Sequence, residues 1–214
     1  MAHVFCLDAA TDHFTNYVHE FRQTLVFSGF ASNWPQHSLQ YLVSGSVVQP
    51  DINTALTNNS VDYISAAGHG QNETFTGFQE SPIWAASQDL SLLAGTIVHL
   101  LSCQAGDGLA QAMIRGGVLA FWGYTGKFKF SYEASRSRDF SADPFARVFL
   151  EMDCIIDQGI LRGDDGDQIF DSVTQYFNQT LDQLEEFDQV LLYNNYDNLI
   201  GPMMGYGSIA AKLG

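Results

Sequence analysis

The chain has 214 residues, of which 46% are hydrophobic, and its 24 acidic and 9 basic side chains give a formal charge of −15 at pH 7. This length and apolar content suit one sizeable core, so we expect residues 1–214 to form a single domain. The negative charge repels phosphate backbones and anionic lipid surfaces, which argues against nucleic acid or a membrane as partner. It fits a protein or peptide partner better, or it serves only to keep the protein soluble.

The first part of the chain predicts alternating strands and helices. A strand over residues 3–7, which ends at Asp8, precedes a helix over 11–27, a strand over 40–48 and a short helix over 51–56. Either Thr11 or Asp12 can cap the first helix. Strand and helix in this order predict a doubly wound α/β sheet.

Two apolar runs that each end at a reactive residue come next. Residues 61–67 lead to His69, and residues 96–102 lead to Cys103. Short apolar runs bounded by glycine are typical of buried parallel strands. Because parallel neighbours end at the same edge of a sheet, we expect His69 and Cys103 to lie together at the carboxyl edge, where open α/β sheets bind ligands.

The remaining elements follow from the same patterns. We expect a hairpin or flap over 71–78, helices over 87–93, 107–115, 144–157 and 168–187, strands over 118–124 and 190–193, and a glycine-rich tail over 201–214. The helix over 107–115 is expected to direct its N-terminus at the thiol of Cys103.

A basic segment over residues 126–143 interrupts this acidic chain. It holds four of the nine basic residues, Lys127, Lys129, Arg136 and Arg138. Three interpretations stay open: a solvated loop, which we favour, a strand and loop that border a substrate cleft, and a cleavable activation loop.

The two reactive strand ends carry a resemblance to a known family. An apolar strand that ends in His-Gly, followed by one that ends in Ser-Cys-x-x-Gly, resembles the catalytic core of the caspase-like cysteine peptidases. The match covers residues 61–124 and is most similar to the gingipain-like or CHAT-like prokaryotic branch, because the strand over 118–124 follows the nucleophile helix without a cleavable linker.

The resemblance implies both a fold and an activity. The fold is a three-layer α/β/α sandwich with a mainly parallel central sheet of about six strands. The activity is that of a cysteine endopeptidase that needs neither a metal nor an organic cofactor, in some relatives within bacterial defence or cell death. The backbone amides of Gly70 and Cys103 are expected to form the oxyanion hole.

The chemistry of the two residues agrees with that activity. A cysteine attacks a peptide carbonyl as the thiolate, and His69 can take the proton of Cys103 and later protonate the leaving amine. The acyl-enzyme on Cys103 is then hydrolysed by water. His99, inside the strand that leads to Cys103, is expected to be packed or hydrogen-bonded instead.

The preferred substrate side chain is left open. The resemblance implies that Leu101, two residues before the nucleophile, lines the pocket for the residue preceding the scissile bond, and that Gly123 and Tyr124 border the substrate. Leu101 permits an apolar side chain there. Asp8 could bind a basic one, or could simply cap a helix or turn.

Compartment and function class complete the predictions. The three cysteines Cys6, Cys103 and Cys154 form neither a disulfide framework nor a metal-ligand pattern, and no signal peptide or membrane span is evident, so we expect a cytoplasmic protein. Two other functions stay open: a non-catalytic peptide-binding module that uses the same sheet edge, and another thiol hydrolase or transferase on a flavodoxin-like sheet.

Overall fold

A computed structural model describes residues 1–136 and 139–204. The strands of this part of the chain are β1 (His3–Asp8), β2 (Ser38–Val43), β3 (Tyr63–Ala67), β4 (His69–Gln71), β5 (Thr74–Thr76), β6 (Pro82–Ala85), β7 (Ile97–Leu101), β8 (Ala120–Tyr124) and β9 (Leu199–Met204). The α-helices are α1 (His13–Arg22), α2 (Phe30–Asn33), α3 (Gln49–Asn58), α4 (Gly108–Arg115), α5 (Pro144–Arg162), α6 (Gly166–Leu181) and α7 (Glu186–Asn198). Over the described ranges, no helix is both long and apolar enough to cross a lipid bilayer.

The central sheet has the strand order β2-β1-β3-β7-β8-β9. Its first five strands are mutually parallel, and β9 runs antiparallel to β8. A second sheet of three short antiparallel strands, β4-β5-β6, follows directly from β3. The predicted α/β fold with a mainly parallel sheet of six strands is therefore confirmed.

Helices cover both faces of the central sheet. Successive residues of a strand point to opposite faces, and in β1 Val4 and Cys6 pack with α1, α5 and α6, whereas Phe5 and Leu7 pack with α3 and α4. Strands buried on both faces read as continuous apolar runs, which is why the sequence showed them clearly.

Four of the predicted elements differ from the structure, wholly or in part. Residues 190–193 belong to α7 and not to a strand, and the predicted helix over 168–187 is replaced by α6 and α7 with a turn between them. Residues 87–93 form a turn and a single 3₁₀ turn. The start of the expected tail is strand β9, and residues 205–214 lie outside the described residues.

Five charged side chains are buried together between the central sheet, α1 and α5. The Nε of Arg22 lies 3.0 Å from Asp8, and Arg22 Nη1 lies 3.7 Å from Asp157. The two ring nitrogens of His99 lie 2.9 Å from Asp157 and 3.1 Å from Asp153. All five residues are at most 1% exposed, so each buried charge depends on its partners.

His99 supplies positive charge to this ionic cluster. Burial alone would lower the pKa of His99, but the carboxylates of Asp153 and Asp157 raise it to about 9. The ligand atoms of these three residues lie within 4.8 Å of one another, a spacing that a metal ion could also use. We interpret the group as an ionic cluster, because both ring nitrogens already bond to carboxylates and the Arg22 guanidinium lies beside Asp157.

Replacing His99 by glutamine should lower the free energy of unfolding by about 3–5 kcal/mol, because buried carboxylates lose a cationic partner. The folded-state pKa of about 9 exceeds the usual value of about 6.5, so the contribution of His99 is complete below about pH 6.5 and is lost as the pH rises through 9. Urea unfolding of both proteins at about pH 6 and about pH 9 measures this.

The difference in the free energy of unfolding between the original and the His99→Gln proteins should be smaller at the higher pH. The control His3→Gln, at an exposed histidine, should change the free energy of unfolding little at either pH. An equal difference at both pH values would show that His99 is not protonated in the folded protein.

Candidate active site

The register of β3 and β7 sets the positions of His69 and Cys103. Ala67 is paired with Leu101 at the end of the two parallel strands, and the amide of Gly68 donates to the Leu101 carbonyl at 3.2 Å. His69 and Cys103 each follow this last pair by two residues. Both residues therefore leave the sheet at the same carboxyl edge.

Gly70 lies directly against the backbone that carries the cysteine. A Cβ atom at Gly70 would be 1.9 Å from the hydroxyl oxygen of Ser102 and 3.1 Å from the carbonyl oxygen of Cys103. Contacts this short exclude any side chain at position 70 unless the neighbours shift. Glycine here allows the His69–Gly70 strand to approach the thiol-bearing turn.

The turn after Cys103 is held against the end of β8. Gln104 has a φ of 58°, and its amide donates to the Gly126 carbonyl at 2.8 Å. The amide of Gly106 donates to the Tyr124 carbonyl at 2.9 Å. Among the described residues, the amide of Cys103 itself has no hydrogen-bond acceptor.

The thiol of Cys103 is half-buried and largely protonated. Burial raises its pKa, and the positive charges of Lys127 and Lys129 offset the rise only in part. The sulfur lies 4.0 Å from the carbonyl oxygen of Phe128. Within the described ranges no hydrogen bond joins Cys103 to His69, so the structure shows a resting thiol.

The N-terminus of α4 has a different partner from the one expected. The amide of Gly108 donates to the side-chain oxygen of Asn72 at 2.7 Å, and the amide of Leu109 donates to the Asn72 carbonyl at 2.9 Å. Asn72, in the turn between β4 and β5, thus occupies the first amides of the helix. These amides do not stabilise a thiolate on Cys103.

Asp12 orients the imidazole of His69, although the sequence predicted only that Asp12 could cap a helix. The imidazole Nε2 is hydrogen-bonded to Asp12, and the ring stacks on Phe14 with 6.0 Å between centroids. Asp12 caps α1 and accepts a hydrogen bond from the Thr15 amide at 2.8 Å. Partial burial acts to raise the pKa of Asp12, but the hydrogen bonds from His69 and Thr15 lower it.

Asp12 was missed because its contact with His69 joins residues 57 positions apart. One signal in the sequence could have indicated it: Asp12 lies in the short loop after β1, a strand that ends at the same edge of the sheet as β3. A carboxylate placed there can reach a histidine after β3.

The structure argues against Asp8 as a group that binds a basic substrate side chain. Asp8 is 1% exposed and is paired with Arg22 and hydrogen-bonded to Tyr41, so its charge is already compensated inside the protein. A substrate side chain cannot reach it in this conformation.

The other expected substrate contacts also lie below the surface. Leu101 is buried in the core, and Gly123 is buried in β8. The buried hydroxyl of Tyr124 donates to Asp153 at 2.9 Å. Of these positions, only the backbone of Tyr124 supports the site, through the turn that follows Cys103.

Two depressions lie beside His69. An apolar one of about 510 Å³ is lined chiefly by Phe14, Phe128, Phe130, Tyr132, Phe187 and Leu191. A polar one of about 370 Å³ is lined by His69, Gly70, Gln71, Thr74, Thr76 and Glu80. The first part of the basic segment therefore borders the site, while Arg138 lies outside the described residues.

A Gly70→Ala substitution should destabilise the protein by about 1–3 kcal/mol, because the added methyl group overlaps the Ser102 hydroxyl. Chemical denaturation measures the loss. Gly45→Ala is the matched control, since nothing lies within 4 Å of a Cβ there.

A Ser102→Ala change in the same chain should recover part of the stability, because the Ser102 hydroxyl has no hydrogen-bond partner in the described part of the chain. Equal stability of the Gly70→Ala and Gly45→Ala proteins would contradict the close approach.

Alkylation of Cys103 by iodoacetamide should be slow at neutral pH in the free protein and should accelerate as the pH rises towards the raised pKa. Replacing Lys127 and Lys129 by glutamine should slow it further at a given pH. Cys103→Ala is the control, since Cys6 and Cys154 are fully buried with pKa values raised by burial. Fast labelling that persists unchanged to about pH 6 would mean that the thiolate is already stabilised.

Comparisons with known proteins support the fold. No family model and no curated protein sequence matches the chain. The solved structure of the Arg-specific cysteine proteinase gingipain R (RgpB) matches with a TM-score of 0.53 and 13% identity over 97% of this chain and 48% of that one. The complex of the pro- and mature domains of Porphyromonas gingivalis RgpB matches with a TM-score of 0.52 and 15% identity over 97% and 49%. The chain thus spans about half the length of these proteins, and it has the caspase-like α/β fold of gingipain R.

Proposed function

We propose that this chain is a cysteine endopeptidase that cleaves a protein or peptide in the cytoplasm. Cys103 is the nucleophile, His69 the general base and acid, and Asp12 the residue that orients His69. The register of β3 and β7 is the observation that carries the proposal, because His69 and Cys103 each follow the last paired residues of these parallel strands by two positions. The close approach of Gly70 to the Cys103 backbone adds to it.

The hydrogen bonds of the site fit each step of acyl transfer. With Nε2 of His69 on Asp12, the other ring nitrogen, Nδ1, has no partner among the described residues and can take the proton of Cys103. The sulfur then attacks the substrate carbonyl carbon, and the carbonyl oxygen becomes an oxyanion. The amide of Cys103, which makes no hydrogen bond among the described residues, is one proposed donor to this oxygen. The amide of Gly70, a residue that packs against Ser102 and the Cys103 backbone, is the second proposed donor.

The second half of the reaction returns the protein to its starting state. The protonated His69 gives its proton to the leaving amine, which releases the first product and leaves an acyl group on the sulfur. His69 then takes a proton from water, whose oxygen attacks the thioester carbonyl. The thiol leaves with that proton, and the acid product departs.

The raised pKa of Cys103 implies that the thiolate forms only after substrate binds. In the free protein the thiol is protonated and contacts the Phe128 carbonyl. We infer that the proton moves to His69 as substrate binds and brings the two side chains together. The same observation favours the second candidate function, a peptide-binding module, which does not need a thiolate at neutral pH.

Replacing Cys103 or His69 by alanine should abolish cleavage of a fluorogenic peptide library. Asp12→Asn should lower kcat/KM by about 10–100-fold, because asparagine still caps α1 but no longer compensates the imidazolium. Asp165→Asn is the matched control, since Asp165 caps α6 with the same kind of capping box at a remote site.

Cleavage that survives in the Cys103→Ala protein would contradict the assignment of the nucleophile. If the intact chain binds peptides and the alkylating reagent modifies Cys103, yet no peptide is cleaved, the peptide-binding module is the correct function.

A further inference from the structure

The apolar depression beside His69, which we call the aromatic pocket, has no partner within the described chain. Its apolar lining is Phe14, Phe128, Phe130, Tyr132, Phe187 and Leu191. Its volume of about 510 Å³ is typical of pockets that bind small ligands or side chains. Phe187, which also lines the pocket, is 70% exposed, so its ring is accessible to a ligand.

The aromatic pocket adjoins both reactive side chains. Phe14, on one wall, stacks on the ring of His69. Phe128, on another wall, has its carbonyl oxygen 4.0 Å from the sulfur of Cys103. A peptide whose carbonyl carbon lies at the sulfur therefore has this pocket within reach of a side chain next to the scissile bond.

Hydrogen bonds hold the wall of the pocket in place before any ligand binds. The side chain of Asn195, buried in α7, accepts from the Lys129 amide at 3.1 Å and donates to the Lys129 carbonyl at 2.6 Å. The hydroxyl of Ser131 donates to Asp188. Because residues 129 and 131 are fixed to α7, the rings of Phe128, Phe130 and Tyr132 form a preformed wall.

The charges around the pocket decide which side chain it can accept. No carboxylate belongs to its lining among the described residues, and Lys129 is the charged residue there. A substrate arginine or lysine could stack on the rings, but it would meet the like charge of Lys129. The nearby carboxylate of Asp188 already accepts a hydrogen bond from Ser131. An aspartate would have to give up water for an aromatic surface, which costs free energy. A large apolar side chain has neither penalty.

We propose that the aromatic pocket binds a large apolar side chain of the substrate, such as phenylalanine, tyrosine, leucine or methionine, next to the scissile bond. This inference rests on the proposed peptidase function and specifies its substrate class. Phe187 is the specificity-determining residue at the rim, where the bound side chain covers its exposed ring.

The test is a positional-scanning library of fluorogenic peptides in which each position around the scissile bond is varied in turn. The intact chain should prefer large apolar residues at one position. Phe187→Ser should lower kcat/KM for the phenylalanine peptide about tenfold at that position alone. Val190→Ser is the matched control, because Val190 is 54% exposed on the same helix and does not line the pocket.

A second measurement separates the pocket from the chemistry. The Cys103→Ala protein is titrated by NMR with capped peptides that carry phenylalanine or arginine at the selected position, or at each position in turn if no cleavage is seen. The phenylalanine peptide should bind more tightly, and Phe187→Ser should remove the difference.

Each outcome gives a decision. Cleavage that prefers charged residues would contradict the proposed role of the pocket but not the peptidase function. An apolar preference that Phe187→Ser leaves unchanged would do the same. If the chain binds the phenylalanine peptide through Phe187 but cleaves no library, the peptidase function is contradicted and the binding role of the pocket stands. If the chain shows no cleavage and no selective binding, both the peptidase function and the aromatic pocket are contradicted.

Discussion

The pairing of β3 with β7 is the constraint on which the site depends. A slip of one residue would turn every side chain of a strand to the opposite face, and here both faces are packed, with Ile64 and Val98 on one side and Tyr63 and Ile97 on the other. The register is therefore fixed by the core. Because of this register, His69 and Cys103 follow strands that end at the same edge of the sheet.

Helix α1 links the buried ionic cluster to the site at the surface. Arg22 at its C-terminal end pairs with Asp8 and lies near Asp157 beneath the sheet, and Asp12 at its N-terminus holds His69. The same helix thus anchors a cationic residue in the core and a carboxylate at the imidazole. This arrangement fixes the orientation of His69, whereas the raised pKa of Cys103 leaves it a neutral thiol in a half-buried turn.

The sequence predicted the parts of the molecule that depend on local patterns. Strands buried on both faces are continuous apolar runs, and these placed His69 and Cys103 correctly with respect to the sheet. Residues 190–193 were misread because a run of four apolar residues fits a helix or a strand equally well. The surroundings of Asp8 and Asp12 were not predictable, since one depends on the packing of Arg22 against the sheet and the other on His69, which is 57 residues away.

The central claim is that the side chains at positions 69 and 103 face each other across a distance that a substrate carbonyl can bridge. The most direct measurement is cross-linking of a His69→Cys protein with a short reagent that reacts with two thiols, followed by peptide mapping. We expect a link between positions 69 and 103 that is lost when Cys103 is also replaced by alanine, with Cys6 and Cys154 unmodified because they are buried. Separate modification of the two cysteines without a link would contradict it.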